Sequence, residues 1–322
     1  MKGFDPKFAD FTDYILGITR EIWEDRRIDT LHEYYTPDVK VRAPAGVVVG
    51  NEGVIAATMA TLAEFPDRQL LGEDVIWCGN DDDGWLSSHR ILSTATHLGD
   101  GAYGPATGRS YVYRIIADCA AKENAIYDEW LIRDQGAIVA QMGMEPKEFA
   151  ARQIEDEGGP ESAVQPFTPA IDVEASYVAT GNDHETGVRY EEILTAIMGA
   201  GLWKVEDACD RAAHLELPGG RTGHGWDAAD RFWLGLRSAF PNATFTVHHR
   251  IGRDDAGMPA RAAIRWSLDG LHDGWGAYGA PTGAPVHVMG ISHAEFGPRG
   301  LRREYVLFDD TAIWKQILLH TG

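Results

Sequence analysis

From Phe65 onward the chain is read twice, the second time 175 residues later and without a gap across the better-matched stretch. Phe65-Pro66-Asp67 returns as Phe240-Pro241-Asn242, Arg90 as Arg265, and His97 as His272. Gly101-Ala102-Tyr103-Gly104 returns as Gly276-Ala277-Tyr278-Gly279, Glu129 as Glu304, Asp134 as Asp309, and Gln141 as Gln316. A period this long far exceeds a solenoid unit, so each copy is a whole domain and the chain is a tandem duplication. At 322 residues, two domains of about 150 are the natural partition. The composition places the domains at 1–150 and 173–322. Between them, 151–172 is an exposed linker, acidic and rich in Gly and Pro, containing Glu155-Asp156-Glu157-Gly158-Gly159-Pro160.

Within each copy, helical periodicity comes first. Phe8, Phe11, Tyr14, Ile15, Ile18 and Ile22 share one face, as do Ile193, Leu194, Ile197 and Met198 in the second copy. A second helix follows Gly50 and stops before Pro66; its partner runs from about Trp226 to Phe240. Strand patterns follow, including Thr244–Val247, Ala263–Trp266, Val286–Met289 and Glu304–Leu307. Helices followed by consecutive strands predict an α+β fold with a mostly antiparallel sheet. Gly99-x-Gly101-x-x-Gly104 and Gly274-x-Gly276-x-x-Gly279 match the dinucleotide-binding pattern as text. They lead into a strand rather than a helix, so they are read as loops joining strands.

The net charge of −20 disfavours nucleic acid and anionic membrane as partners. Cys78, Cys119 and Cys209 are scattered, which suggests neither disulfides nor a zinc site and fits a reducing cytoplasm. The start, Met1-Lys2-Gly3-Phe4-Asp5-Pro6, predicts no secretory leader, and no apolar run is long enough for a membrane span.

Arg265-Trp266-Ser267-Leu268-Asp269-Gly270-Leu271-His272-Asp273-Gly274, followed by Ala280-Pro281-Thr282-Gly283, resembles the signature of SnoaL-like polyketide cyclases. These belong to the nuclear transport factor 2-like superfamily. Phe65-Pro66-Asp67 is similar to their helix-to-strand corner. Asp128-Glu129-Trp130, with Asp134 and Gln141-Met142-Gly143, is similar to their closing strand and C-terminal turn. The resemblance implies two cone-shaped α+β barrels, each a curved antiparallel sheet wrapped by helices around a pocket. It also implies pairing through the outer sheet faces, which a tandem chain satisfies as an intrachain pseudo-dimer. Cyclases of this type use no metal or cofactor; acid/base groups drive an intramolecular aldol step. This superfamily also hosts isomerases, dehydratases and non-catalytic binders, so the fold alone does not decide the activity.

Aldol chemistry needs a carboxylate or imidazole to take an α-proton and a donor to hold the enolate. With period 2, Asp128, Trp130, Ile132 and Asp134 share one strand face and Glu129, Leu131 and Arg133 the other; the sequence does not say which lines the pocket. The candidate acid/base residues are Asp118, Asp128, Glu129 and His97 in the first copy, and His272, His293, Glu304 and Asp309 in the second. Asp128 and Glu129 read equally as salt-bridge partners at a rim or interface, and His97 and His272 as loop hydrogen-bonders. Arg90 and Arg265, Tyr103 and Tyr278, and Trp130 and Trp266 are the candidate substrate contacts; Glu129 and Glu304 are the acids expected to pair with the two arginines. His272, His287 and His293 lack metal-motif spacing, so no metal is expected. The copies differ where chemistry would sit: Asp118 is matched by His293, and Asp128 by Arg303. Unequal pockets follow. The expected ligand is a small hydrophobic carbonyl compound, turned over by cofactor-independent cyclisation, isomerisation or hydration. Two alternatives stand beside this, a non-catalytic binder and a pseudo-dimer scaffold. A cavity with an unpaired acid and a histidine marks the enzyme, a cavity without titratable groups the binder, and filled cones the scaffold.

Overall fold

A computed structural model describes all 322 residues. The first domain comprises α1 (Phe11–Thr19), a π-helical turn (Arg20–Glu24), α2 (Leu31–Tyr34), β1 (Tyr35–Ala43), β2 (Gly46–Val49) and α3 (Asn51–Glu64). It continues through β3 (Gln69–Asn80), β4 (Gly84–Thr96), β5 (Ser110–Lys122), β6 (Ala125–Arg133), α4 (Gln135–Gln141) and α5 (Pro146–Asp156). The second domain repeats the plan with α6 (Glu185–Met198), α7 (Lys204–Ala208), β7 (Cys209–Leu217), β8 (Arg221–His224) and α8 (Gly225–Ala239). It closes with β9 (Thr244–Arg253), β10 (Ala260–Leu271), β11 (Pro285–Gly297), β12 (Gly300–Leu307) and α9 (Asp310–Thr321).

Each domain holds a six-stranded sheet, in the orders β2-β1-β6-β5-β4-β3 and β8-β7-β12-β11-β10-β9. All pairs are antiparallel except β1 with β6 and β7 with β12. Both sheets bulge at the same column. Glu73 is skipped between Gly72 and Asp74, and His248 between Val247 and His249. A bulge bends its strand and increases the twist, which is how a sheet of this width curls into a cone.

The helices cover the concave face for local reasons. Asp10 caps α1 by accepting from the Asp13 backbone N–H at 2.8 Å, and Phe11, Tyr14, Ile15 and Ile18 are buried at helical spacing. The π turn is marked by the Asp25 N–H bonding to the Arg20 carbonyl at 2.9 Å, five residues back. Pro66 and Pro241 follow α3 and α8 directly, as expected from the sequence. Gly99 and Gly274 are required by close approach. A Cβ at Gly99 would sit 2.1 Å from the Ala63 carbonyl oxygen, and one at Gly274 1.9 Å from that of Ser238. These glycines seat the strand-to-strand loop on the helix end and have no role as a phosphate cradle.

The convex faces of the two sheets pack against each other. Ile76, Leu86, Ile116 and Ile132 of the first meet Ile251, Ala263, Met289 and Ile291 of the second in one buried cluster. The packing is pseudo-twofold: Arg265 stacks on Trp130 at 3.6 Å from the ring centroid, and Arg90 stacks on Tyr305, the counterpart of Trp130, at 3.5 Å. The connecting chain is exposed along much of 155–172 but is pinned at points. α5 continues to Asp156, and the segment between it and α6 is clamped between the domains. Phe167 and Tyr177 on it are buried, its Phe167 N–H bonds the Pro44 carbonyl at 2.9 Å, and Gly181 bridges to Arg250. No helix is long and apolar enough to cross a membrane.

Candidate functional site in the first cone

The concave face of the first sheet encloses a cavity of about 360 Å³, lined by 27 residues of which 17 are hydrophobic. That size lies within the ordinary range of small-molecule sites, roughly 300–1,000 Å³. The walls explain themselves by position. β4, β5 and β6 present alternate residues: Ser87, His89 and Ile91 on β4 register with Cys119, Ala117 and Ile115 on β5. Those register in turn with Glu129, Leu131 and Arg133 on β6. α3 lies across the opening with Val54, Ala57, Thr58 and Thr61 toward the cavity, and the π turn supplies Trp23. Small residues on α3 are what leave the space.

Glu129 is the cavity's acid. It is buried, and its carboxylate accepts one hydrogen bond, from the Tyr35 hydroxyl at 2.8 Å. Burial pushes its pKa up to about 7, with the Tyr35 bond acting in the opposite sense. His89 is 2% exposed and its Nε2 has no partner. Burial, and then the Arg90 charge beside it, push its pKa down to about 4, so the ring is neutral at pH 7. The two residues stand two strands and one side-chain step apart, a Cα separation of roughly 12 Å along the sheet. A ligand fits between them. Arg68, Arg133, Gln135 and Asp309 add to the polar lining.

The structure sorts the residues singled out from sequence by face. Glu129 lines the cavity, whereas Asp118, Asp128, Arg90 and Trp130 point from the convex face into the interface, with His293 and Arg265 across from them. Asp128 accepts from Arg42 and from the Ser176 and Tyr177 backbone N–H groups, fixing the connecting chain. Asp118 pairs with Arg265 at 3.1 Å, and His293 sits 2.7 Å from the Ser88 hydroxyl and 3.2 Å from Arg90. The expected pairing of Arg90 with Glu129 and Arg265 with Glu304 is therefore wrong: each arginine faces away from that glutamate, and Arg90 pairs with Glu73 and Glu295 instead. His97 is a loop fastener, 3.1 Å from Glu64, whose carboxylate also accepts from the Ala102 and Tyr103 N–H groups. His272 holds its loop through Thr282 at 3.0 Å, and Ala239 stands where Glu64 would be. The Tyr103 hydroxyl bonds Gln135, which lines the cavity, and the Tyr278 hydroxyl bonds Asp310; neither tyrosine lines the cavity itself. Asp309 touches the cavity, but its oxygens cap α9 and accept from Gln135.

In the second cone the corresponding space is solid. Trp233 and Trp266 are fully buried there with Tyr190, Phe240 and Phe308, and Glu304 accepts from the Tyr190 hydroxyl at 2.9 Å and Trp233 Nε1 at 3.4 Å. Trp266 fits because residue 290 is glycine; a Cβ there would lie 2.3 Å from the indole. One buried apolar cluster of 32 residues runs through this domain. In the first, the cavity separates clusters of 16 and 12.

The description of SnoaL-like polyketide cyclases matches residues 14–142, and that of the SnoaL-like domain matches 190–302. The chain belongs to the SnoaL-like family, as two copies in tandem. Among solved structures, it is similar to IdmH from Streptomyces antibioticus at 25% identity, covering 41% of this chain and 98% of that one, with a TM-score of 0.36. TsrD from Streptomyces laurentii is 18% identical, covering 42% and 98%, with a TM-score of 0.36. A SnoaL-like polyketide cyclase from Agrobacterium tumefaciens is 17% identical over the same shares, with a TM-score of 0.33. No curated protein matches.

Sequence reasoning missed His89, whose counterpart is Ile264, and Arg68 and Arg133, matched by Ala243 and Phe308, because strand period alone does not say which face lines a cavity.

Proposed function

We propose that the first domain is a cofactor-independent acid/base enzyme of the SnoaL-like type, acting on a hydrophobic carbonyl compound. The observation that carries this reading is Glu129: a carboxylate with one neutral hydrogen bond, poised near pH 7, in an apolar cavity large enough for a ring system. Glu129 takes the α-proton, so the C–H bond breaks as an O–H bond forms on the carboxylate. The electron pair moves onto the carbonyl oxygen. Neutral His89 donates a ring N–H to that oxygen without first giving the proton up. The enolate carbon then attacks a second carbonyl of the same molecule, closing a ring as the new alkoxide takes the proton back from the Glu129 carboxyl, or that carboxyl returns the proton to another carbon of the enolate system, giving an isomer. Tyr35 orients the carboxylate. The second domain serves as the partner that a single-domain relative would find in another copy.

The test needs no natural substrate. 2-Tetralone in D₂O, followed by NMR, should exchange its α-protons faster with the protein than in buffer alone. Glu129→Gln should lower that acceleration by about 10²-fold or more while the ketone still binds. Binding of the ketone with exchange at the buffer rate would make the protein a binder and sink the proposal.

A further inference from the structure

Five arginines are buried in this protein: Arg42, Arg68, Arg90, Arg261 and Arg265. Four are neutralised. Arg42 pairs with Asp128 and Asp172, Arg90 with Glu73 and Glu295, Arg261 with Asp74 and Asp255, and Arg265 with Asp118. Arg68 has none of this. It is 8% exposed, its Nε has no hydrogen-bond partner, and no carboxylate oxygen lies within 4.0 Å of its guanidinium. It lines the first cavity beside Arg133, whose Nε is likewise buried without a partner and which also lacks a carboxylate within 4.0 Å; the Tyr113 and Tyr103 phenols and the more distant Glu64 favour the Arg133 cation against its burial. Burial, and to a smaller extent the Arg133 charge, disfavour the Arg68 cation; the Tyr113 phenol is the neighbour that favours it.

A buried charge without a counterion is costly, and two side by side are more so. The chain carries 49 acidic residues, so a partner was available in sequence space, yet none was placed here. The pair is also confined to the cone that is open: Ala243 and Phe308 replace it in the filled one. The unmet requirement is therefore for an anion that enters the cavity. Guanidinium groups, planar and always charged, suit a carboxylate's two oxygens.

We infer that the first cavity takes an amphipathic carboxylate, with its ring body against the apolar wall and its carboxylate held between Arg68 and Arg133. This rests on the first cavity being the working site. It adds the substrate's charge and its direction of binding. Arg133 and Glu129 are four residues apart on β6, roughly 13 Å along the strand, so the carbon presented to Glu129 lies at the end of the ligand away from the carboxylate.

The experiment compares 2-naphthoate with 2-naphthamide, which share a ring body and differ in charge, by isothermal titration calorimetry on the full chain at pH 8. The acid should bind at least about tenfold more tightly, a difference of about 1.4 kcal/mol. It should also raise Tm where the amide raises it less, a readout that needs no variant. Arg68→Met and Arg133→Met should each remove most of the preference, weakening the acid far more than the amide. Equal affinity for acid and amide, no binding of either, or a preference that survives the double variant would overturn the inference. If the preference holds but 2-tetralone exchange is not accelerated, the catalytic reading falls and this one stands. If exchange is Glu129-dependent but acid and amide bind alike, the arginines do not hold a ground-state carboxylate, and only this inference falls.

Discussion

Thr58 and Ile91 in the first cone stand where Trp233 and Trp266 stand in the second, and Ala57 stands where Phe232 does. The strand orders are identical, the bulges fall in the same column, and the loop histidines hold the same threonines. Only the contents differ. The second cone has spent its interior on packing, where each fully buried aromatic contributes a few kcal/mol, about 1.5–3 for a Phe-sized side chain. The first forgoes that stabilisation and retains polar groups that packing does not need. Glu129 and Glu304 make the contrast sharpest: both are buried and both are pushed up to about 7, yet one faces a cavity and the other accepts from Tyr190 and Trp233 in a solid core. Unshared residues open the first cone around a glutamate that both copies keep.

The largest effect should come from undoing the filling. Trp266→Ala should cost about 3–5 kcal/mol in denaturant unfolding, because the aromatic's contacts and its 2.9 Å bond to Ser292 are lost together. A cost under 1 kcal/mol would mean that the second cone is loosely packed and the comparison misdrawn. Next, Asp128→Asn should cost on the order of 3 kcal/mol, since a buried ion pair is broken and the amide meets the Ser176 and Tyr177 donors. Exchange of 2-tetralone per folded molecule should change little. A large rate loss at full stability would return Asp128 to the chemistry.

The reciprocal change fills the first cone. Thr58→Trp should weaken binding of 2-tetralone by about 10²-fold, near 2.7 kcal/mol, with no loss of Tm. Unchanged binding would place the ligand elsewhere. The smallest effect separates the two glutamates by pH. A carboxyl whose folded pKa is raised stabilises fully below its unfolded value near 4.5 and loses that contribution as pH rises through about 7. Glu304→Gln should therefore flatten the decline in stability over that window. Over the same window the exchange rate should rise as Glu129 deprotonates, and Glu304→Gln should leave that profile in place.

Much of this arrangement is legible in the sequence. The offset that carries Phe65 to Phe240 yields two domains, and helix-before-strand order with Pro66 and Pro241 as stops yields the fold. Strand lengths are underread: Thr244–Val247 is the visible part of a strand reaching Arg253, because its far end packs into the domain interface and carries no simple alternation. The site is legible only in part. Period 2 separates Glu129 from Asp128, but a sheet buried on both sides has two inward faces, and only the tertiary fold assigns the cavity to one of them. Matching columns led to His97, Arg90 and Asp309, which hold a loop, the interface and a helix cap, but also to Glu129 in the cavity. Mismatched columns include Asp118 and Asp128 at the interface as well as His89, Arg68 and Arg133 in the cavity, so neither match nor mismatch alone picks out the cavity face.

The most direct measurement of the division between the cones is the 2-tetralone exchange rate of Glu129→Gln set against that of Glu304→Gln, each per folded molecule. Loss of about 10²-fold or more in the first, with the second within about threefold of the unaltered protein, is the predicted result. Loss in Glu304→Gln with Glu129→Gln unaffected, or equal partial losses in both, would contradict it.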